Sequence, residues 1–495
     1  MRIEGIRSGV KTRAGRIFLR VTIVLAALCL AALVSCLDGV DYRAYFREPY
    51  YTETIARLRA SAATNTISRG ELAAGFGNAR LTPTINAAQD DPAHGQFRSL
   101  SLAGYGDRKG HPATSTHDDL YVKAVALRVE NRLGIMLGAD ALIIPREVTD
   151  IAAAQLEREL GLRREQLYLS ATHTHSSLGG WGEGAVGEAF AGKFQPGART
   201  WFSDRIVTAV REAVADLKPA SFGHGSFMAP EFVRNRLVGQ LGKVNPEFSY
   251  AVLKQKNGRV AILGSYAAHA TVLSGSVMEF TADYPGYWQR EIERATGGVA
   301  VFLAGSVGST SPAPGDSGFK GAEAMGKALA QKLLEGLPQI TLTNSIAFGT
   351  LGLEVSLPPL NIRVTDGLRL RPWLAGRLLP PARHSFIQVF RLDDSVWIST
   401  PCDFSGELAL GIKDYLHVRG FSTSITSFNG DYVGYVILPR YYHLNGYEPR
   451  LMSFFGPNVP DYFDELIRTM ARTETETTSA RSTVTTSQTH SSEVK

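Results

Sequence analysis

Two histidines one residue apart, in Ala171-Thr172-His173-Thr174-His175-Ser176, follow directly on the apolar run Leu167-Tyr168-Leu169-Ser170. In extended backbone, residues two apart project the same way, so both imidazoles enter one space. Imidazoles gathered at a strand end suit a metal, which takes a neutral ring nitrogen, or a proton-transfer pair. Hydrogen-bonded surface histidines show the same spacing, so the pair alone decides nothing. Three further segments raise its weight. His269 stands just beyond another apolar run in Tyr266-Ala267-Ala268-His269-Ala270-Thr271. The Gly/Ser loop Gly305-Ser306-Val307-Gly308-Ser309-Thr310-Ser311-Pro312 follows a strand-like run at 299–303, and Asp403 follows Val396-Trp397-Ile398. Each places a ligand-type or nucleophile-type residue where open α/β sheets collect their sites, at the end of a strand.

The elements that must hold these residues show in the hydrophobic spacing. Residues 135–137, 167–170, 260–264 and 299–303 have strand character, while 148–160, 205–217 and 321–337 have helical spacing. Their alternation predicts an α/β fold, a mixed β-sheet core with flanking helices. After Ile340 the pattern becomes more β-rich in the C-terminal third, with Pro358-Pro359 and Pro380-Pro381 marking loops.

A chain of 495 residues that is 44% hydrophobic and 20% charged is an ordinary globular one. Its net charge of +5 and pI near 9.0 owe much to the first 20 residues, where six basic side chains face only Glu4. The nearly neutral remainder has no basic stripe to follow phosphates, which argues against a nucleic-acid partner. Three cysteines are too few for a disulfide framework, and Cys402, alone in the body, suits a small buried hydrophobe.

The basic segment Arg2, Arg7, Lys11, Arg13, Arg16, Arg20 precedes an uncharged run at 21–36. Sixteen residues fall short of the ~20 that span a bilayer and suit the apolar part of an export signal. The run closes in Leu33-Val34-Ser35-Cys36, similar to a bacterial lipobox. A lipoprotein, an uncleaved signal anchor and simple secretion are the alternatives, and all export the body. The expected parse is an export signal at 1–36, a leader or linker at 37–69, a catalytic domain at 70–468 and a disordered tail at 469–495. The tail is Ser/Thr-rich from Ala471 and has too little apolar area to offset its ordering entropy.

Six ordered segments resemble the neutral/alkaline ceramidases. Residues 171–176 are similar to that family's THTHSG segment, Asn235-Arg236 to its NRS, and 266–271 to its histidine-bearing strand end. Ala282-Asp283-Tyr284-Pro285-Gly286 resembles its ADYPG, and 308–312 its GDVSP loop. Asn429, Tyr432, Tyr435, Tyr447 and Glu448 fit its tyrosine-rich NxYxxY…YE segment. The resemblance covers roughly residues 70 to 460. It implies one zinc per chain, with His173, His269, Asp403 and Tyr435 as ligands. It implies His175 as the proton-transfer group, Arg236 as a substrate-orienting cation and Ser311 as a hydroxyl that attacks or positions at the carbonyl. Tyr447 would be the donor to the developing oxyanion.

Departures from the family pattern bear on substrate. Ser309 stands in place of an aspartate, Asp403 in place of a glutamate, and Ser177-Leu178 in place of Gly-Pro-like residues. A C-terminal β-sandwich is not expected, since the chain ends soon after Tyr462. Three functions follow from these readings. They are amide hydrolysis of ceramide or a related N-acyl lipid, hydrolysis of another amide or ester by the same zinc centre, and a catalytically silent lipid-binding homologue. The partners expected are a lipid or N-acyl small molecule and a membrane surface, with no obligate protein partner.

Overall fold

The computed structural model describes residues 4–379 and 383–476. Its helices are α1 (Glu4–Cys36), α2 (Pro49–Thr64), α3 (Arg146–Leu160), α4 (Gly184–Ala191), α5 (Pro196–Ala215), α6 (Asp283–Thr296), α7 (Gly318–Gly336), α8 (Pro372–Leu378), α9 (Gly406–His417) and α10 (Val459–Glu476). Among the described residues, twelve strands join one mixed sheet. Its long path runs from Val299–Ala304 through Val260–Tyr266, Glu247–Gln255 and Lys218–Met228 to Ser68–Arg80. From there it continues to Ser345–Ser356, His384–Leu392, Ser395–Ser399 and Ser422–Thr426. Strand Ser68–Arg80 is the branch point. Its first residues pair with Ser345–Phe348, while Leu72–Arg80 pair with Tyr121–Val129, which leads on to Arg132–Ala139 and Leu167–Ala171.

The sheet folds back on itself, so that inward side chains from both halves share a core. Phe76, Val125, Met136, Tyr168, Phe222, Leu253, Val301, Phe390 and Trp397 meet there. The outer faces are covered by α3 and α5 on one side, α6 and α7 on another, and α2, α9 and α10 on a third. This is the expected mixed sheet with flanking helices, with long strands succeeding one another after Ile340.

Within this twelve-stranded sheet three pairs of strands run parallel: Arg132–Ala139 with Leu167–Ala171, Val260–Tyr266 with Val299–Ala304, and Ser395–Ser399 with Ser422–Thr426. Their C-terminal ends converge. Ser427, just past the third pair, donates its backbone N–H to the Ala304 carbonyl at 2.9 Å and accepts from Ser170 Oγ through its own carbonyl at 2.8 Å. Chain leaving these ends carries His173, His269, Asp403 and Tyr432.

Two expected boundaries shift. The segment at 37–69 is part of the body, because α2 lies on Ser345–Ser356 and buries Leu58 among Leu353, Val355, Phe463 and Ile467. Tyr45 and Tyr51 both donate to the Glu465 carboxylate, at 2.7 and 2.6 Å. Leu58→Ala is therefore expected to destabilise the protein by about 2–5 kcal/mol in urea unfolding, the usual cost of a truncated core leucine; a mere linker would give no change. Helix α10 continues to Glu476, past the expected start of the tail, because Ala471, Glu474 and Thr475 are buried against the body. Residues 477–495 lie outside the described residues.

At the N-terminus, α1 is continuous through Arg16 and Arg20, so the sixteen-residue uncharged run sits within a longer candidate span of 22 residues, Gly15–Cys36. That is roughly 33 Å of helix, enough by length and composition to cross a membrane. Cys402 is fully buried beside Ile398 and Phe404, as its solitary position suggested.

Candidate metal centre

His173 leaves its strand with a left-handed backbone, φ +62. The turn swings the imidazole inward, flat against Phe428 with ring centroids 4.0 Å apart. Its Nδ1–H donates to the Leu142 carbonyl at 2.7 Å, which fixes the tautomer and leaves Nε2 as a lone pair. His269 does the same from the end of Val260–Tyr266, with Nδ1 at 3.3 Å from the Val307 carbonyl. The two Nε2 atoms then face one another at 2.8 Å, and His175 Nε2 stands 3.2 Å from that of His173. All three ligand atoms lie within 4.8 Å of one another. Burial holds His173 down to about 3 and holds His175 and His269 well below the ordinary range, so all three rings are neutral near pH 7.

Asp403 begins the short strand Asp403–Phe404, parallel to Tyr435–Val436. Its Oδ2 accepts from Tyr432 Oη at 2.8 Å. Its Oδ1 is buried with no hydrogen-bond partner, 3.6 Å from His173 Nε2 and 3.9 Å from His269 Nε2. Burial pushes this carboxyl up to about 7, against the pull of Arg236. Converging imidazole lone pairs beside an orphaned carboxylate oxygen repel one another unless something positive lies among them. The donor set is nitrogen and oxygen, which zinc accepts, and the ring N–H groups of His173 and His269 are already spent on carbonyls. These residues fit a metal ion.

Arg236 follows the strand Val233–Asn235, which is held by Thr310–Pro312 of the Gly/Ser loop, and its own N–H donates to the Ser309 carbonyl at 3.0 Å. Its guanidinium donates to Tyr435 Oη at 2.7 Å and pairs with Glu448 at 2.8 Å. Tyr447 packs edge-on to Tyr435 with centroids 6.0 Å apart. His173, His175, Asp403, Tyr432, Tyr435 and Tyr447 all line one cavity of about 550 Å³ that continues along Leu142, Ile143, Trp181, Phe190, Phe454 and Phe455.

The sequence-predicted residues thus gather, with one exception. Ser311 sits opposite Arg234 in the strand pair and does not line this cavity. The part of its loop that reaches the centre is Val307-Gly308: the Val307 carbonyl faces His269 Nδ1, and the Gly308 N–H donates to the Phe404 carbonyl at 2.8 Å. Ser309 turns away and accepts from the Gly406 N–H at the start of α9. Two working contacts were missed from sequence. Tyr432 holds Asp403, and Glu448 holds Arg236; only their place in the tyrosine-rich segment signalled them. Arg108 was not foreseen either, and it clasps the His175 carbonyl while donating to Val277 O at 2.8 Å.

Among curated proteins, the chain is 28% identical over 159 residues to neutral ceramidase of Pseudomonas aeruginosa, covering 29% of this chain and 24% of that protein. It is 24% identical over 233 residues to neutral ceramidase of Mycobacterium tuberculosis, covering 43% of this chain and 36% of that one. The aligned segments therefore span less than two thirds of either relative. Among solved structures, neutral ceramidase from Pseudomonas aeruginosa superposes with a TM-score of 0.66 at 19% identity, over 81% of this chain and 74% of that one. A ceramidase complexed with C2 gives 0.64 at 18% identity, over 84% and 76%.

The chain is similar to the neutral ceramidases in sequence and in fold.

No family model matches it. The six-segment resemblance to the ceramidases is borne out by these relatives, and the fold is the ceramidase fold. Within it, the buried His173 and His269 and the half-buried His175 form a group that can hold a metal.

Proposed function

We propose that this chain is a zinc-dependent amidohydrolase that cleaves the amide bond of ceramide or a related N-acyl lipid. One observation carries the reading: three neutral imidazoles and a buried carboxylate converge where a largely apolar cavity meets the ends of the parallel strands. A lipid tail suits Trp181, Phe190, Phe454 and Phe455, and the reacting amide would lie at the histidines.

In this reading His173, His269, Asp403 and Tyr435 would hold one zinc. When bound, zinc supplies Lewis-acid activation of a carbonyl and of water. His175 reaches the same space with its ring against Tyr105, centroids 4.8 Å apart, and carries the proton to the leaving amine. Arg236, clamped by Glu448, keeps the Tyr435 hydroxyl oriented. Tyr447, partly exposed in the cavity wall, donates to charge that develops on the carbonyl oxygen. Ser311, away from the cavity, serves the strand pair that positions Arg236. A second reading, a zinc hydrolase of a different amide or ester, is favoured by Arg146, Glu147, Glu183 and Arg199 in the same cavity. The proposed address is membrane-associated, with Cys36 lipidated or α1 as a signal anchor.

Fatty-acid release from ceramide by purified, metal-assayed protein tests the activity. Two variants separate binding from chemistry. His175→Ala should keep its metal on the remaining donors yet lose turnover by ~10²–10⁴-fold, the usual cost of a positioned acid or base. Ser311→Ala should keep both near wild type. Loss of metal in His175→Ala would make His175 a ligand, and loss of turnover in Ser311→Ala would return that hydroxyl to the reaction.

A further inference from the structure

Residues 363–383 carry Arg363, Arg369, Arg371, Arg377 and Arg383 against a single acid, Asp366. Within this stretch the strand Leu368–Leu370 leads into α8. Leu368, Trp373 and Leu378 are 40%, 51% and 47% exposed, unusually open for large apolar side chains in one short segment. The Arg377 guanidinium lies 5.2 Å from the Trp373 ring centroid. Arg363 is buried and bonded to the Pro449 carbonyl, and Arg369 is buried beside Asp38 and Asp41. Arg377 and Arg383 are the exposed cations of the five.

Indole, leucine and arginine on one short helix form the composition that settles at a bilayer's polar–apolar boundary. The indole lies at headgroup level, the leucines below it, and the guanidinium reaches back to phosphate. Two observations make a bilayer the occupant. The candidate membrane span Gly15–Cys36 runs without a break into strand Leu37–Gly39, which pairs antiparallel with Leu368–Leu370. Arg371 fastens the junction, its N–H donating to the Cys36 carbonyl at 2.9 Å and its Nε–H to the Leu37 carbonyl at 3.0 Å. So the apolar helix ends on the strand pair from which α8 begins. The second observation is charge: exposed arginines attract anionic headgroups and oppose a second copy of the same patch.

We propose that α8, with the strand pair Leu37–Gly39 and Leu368–Leu370, is a bilayer-docking surface that prefers anionic headgroups. It places the cavity beside the lipid, because Leu379, the residue that follows α8, lines the cavity wall together with Leu360 and Tyr447. The docking is independent of which bond the histidine site cleaves.

The test uses the full chain reconstituted into phosphatidylcholine vesicles with brominated acyl chains, with and without phosphatidylglycerol. Trp181, Trp201, Trp288 and Trp397 are buried, so Trp373 is the tryptophan open to a quencher. Brominated lipid is expected to quench tryptophan emission, Trp373→Phe to lose most of that quenching, and Arg377→Glu with Arg383→Glu to abolish its increase with phosphatidylglycerol. Quenching by aqueous acrylamide that is the same in vesicles as in detergent, with none from brominated lipid, would overturn the proposal. So would shielding from both quenchers together with a dimer in sedimentation, which would give the face to a second copy. Neither outcome touches ceramide hydrolysis, which is measured separately.

Discussion

His269→Ala is expected to lose bound metal and hydrolytic activity together while the fold survives. The imidazole supplies one of the converging nitrogens and makes only a long contact, 3.3 Å, to the Val307 carbonyl, so its removal leaves little else unsatisfied. His173→Ala should remove metal equally but also orphan the Leu142 carbonyl, at an added cost of about 1–3 kcal/mol in stability. If the ion supplies several kcal/mol of transition-state stabilisation, turnover falls on the order of 10³-fold or more. Elemental analysis of purified variants beside circular dichroism and substrate turnover reads all three. Full metal occupancy in the double variant would sink the proposed centre.

Gly308→Ala should be nearly as damaging without touching any candidate ligand. A Cβ at Gly308 would stand 2.2 Å from the Asp403 carbonyl oxygen and 2.7 Å from its carbon, and both are backbone atoms that cannot swing aside. The loop and the strand Asp403–Phe404 must part, which moves Asp403 away from the histidines and breaks the Gly308–Phe404 hydrogen bond. Displacing a site residue by an ångström costs ~10²-fold in rate. Overpacking of this kind costs about 1–3 kcal/mol in stability. Weakened metal affinity with a lowered melting temperature is the expected pair of readouts; wild-type affinity would show that the loop does not brace Asp403.

The strand-end histidines and Asp403 were legible because strand periodicity is short-range, and a polar residue closing an apolar run stands out. Long helices were legible for the same reason, as α3 and α7 show. That Ser311 stands outside the cavity was not legible, because residue type and a neighbouring proline do not say which way a loop turns. The strand pairing of Thr310–Pro312 with Val233–Asn235 decides that, and it joins distant segments. Tyr432 and Glu448 were hidden for a related reason: their partners, Asp403 and Arg236, are far away in sequence. The segment at 37–69 looked like a linker because its aromatic residues are spaced by polar ones. Its burial depends on α10, at the other end of the chain.

The branching of strand Ser68–Arg80 has a consequence for the order in which the chain can fold. Its central residues find Tyr121–Val129 soon after synthesis, but Ser68–Glu71 must wait for Ser345–Phe348 from the far half of the chain. Until then that end is an open edge, with backbone donors and acceptors ready to take any passing strand. Closing so long a loop is slow, and a partly made chain exposes the apolar inner face while it waits. A fragment stopped before Ser345 would keep its early hairpin, miss its central seam, and aggregate through that edge.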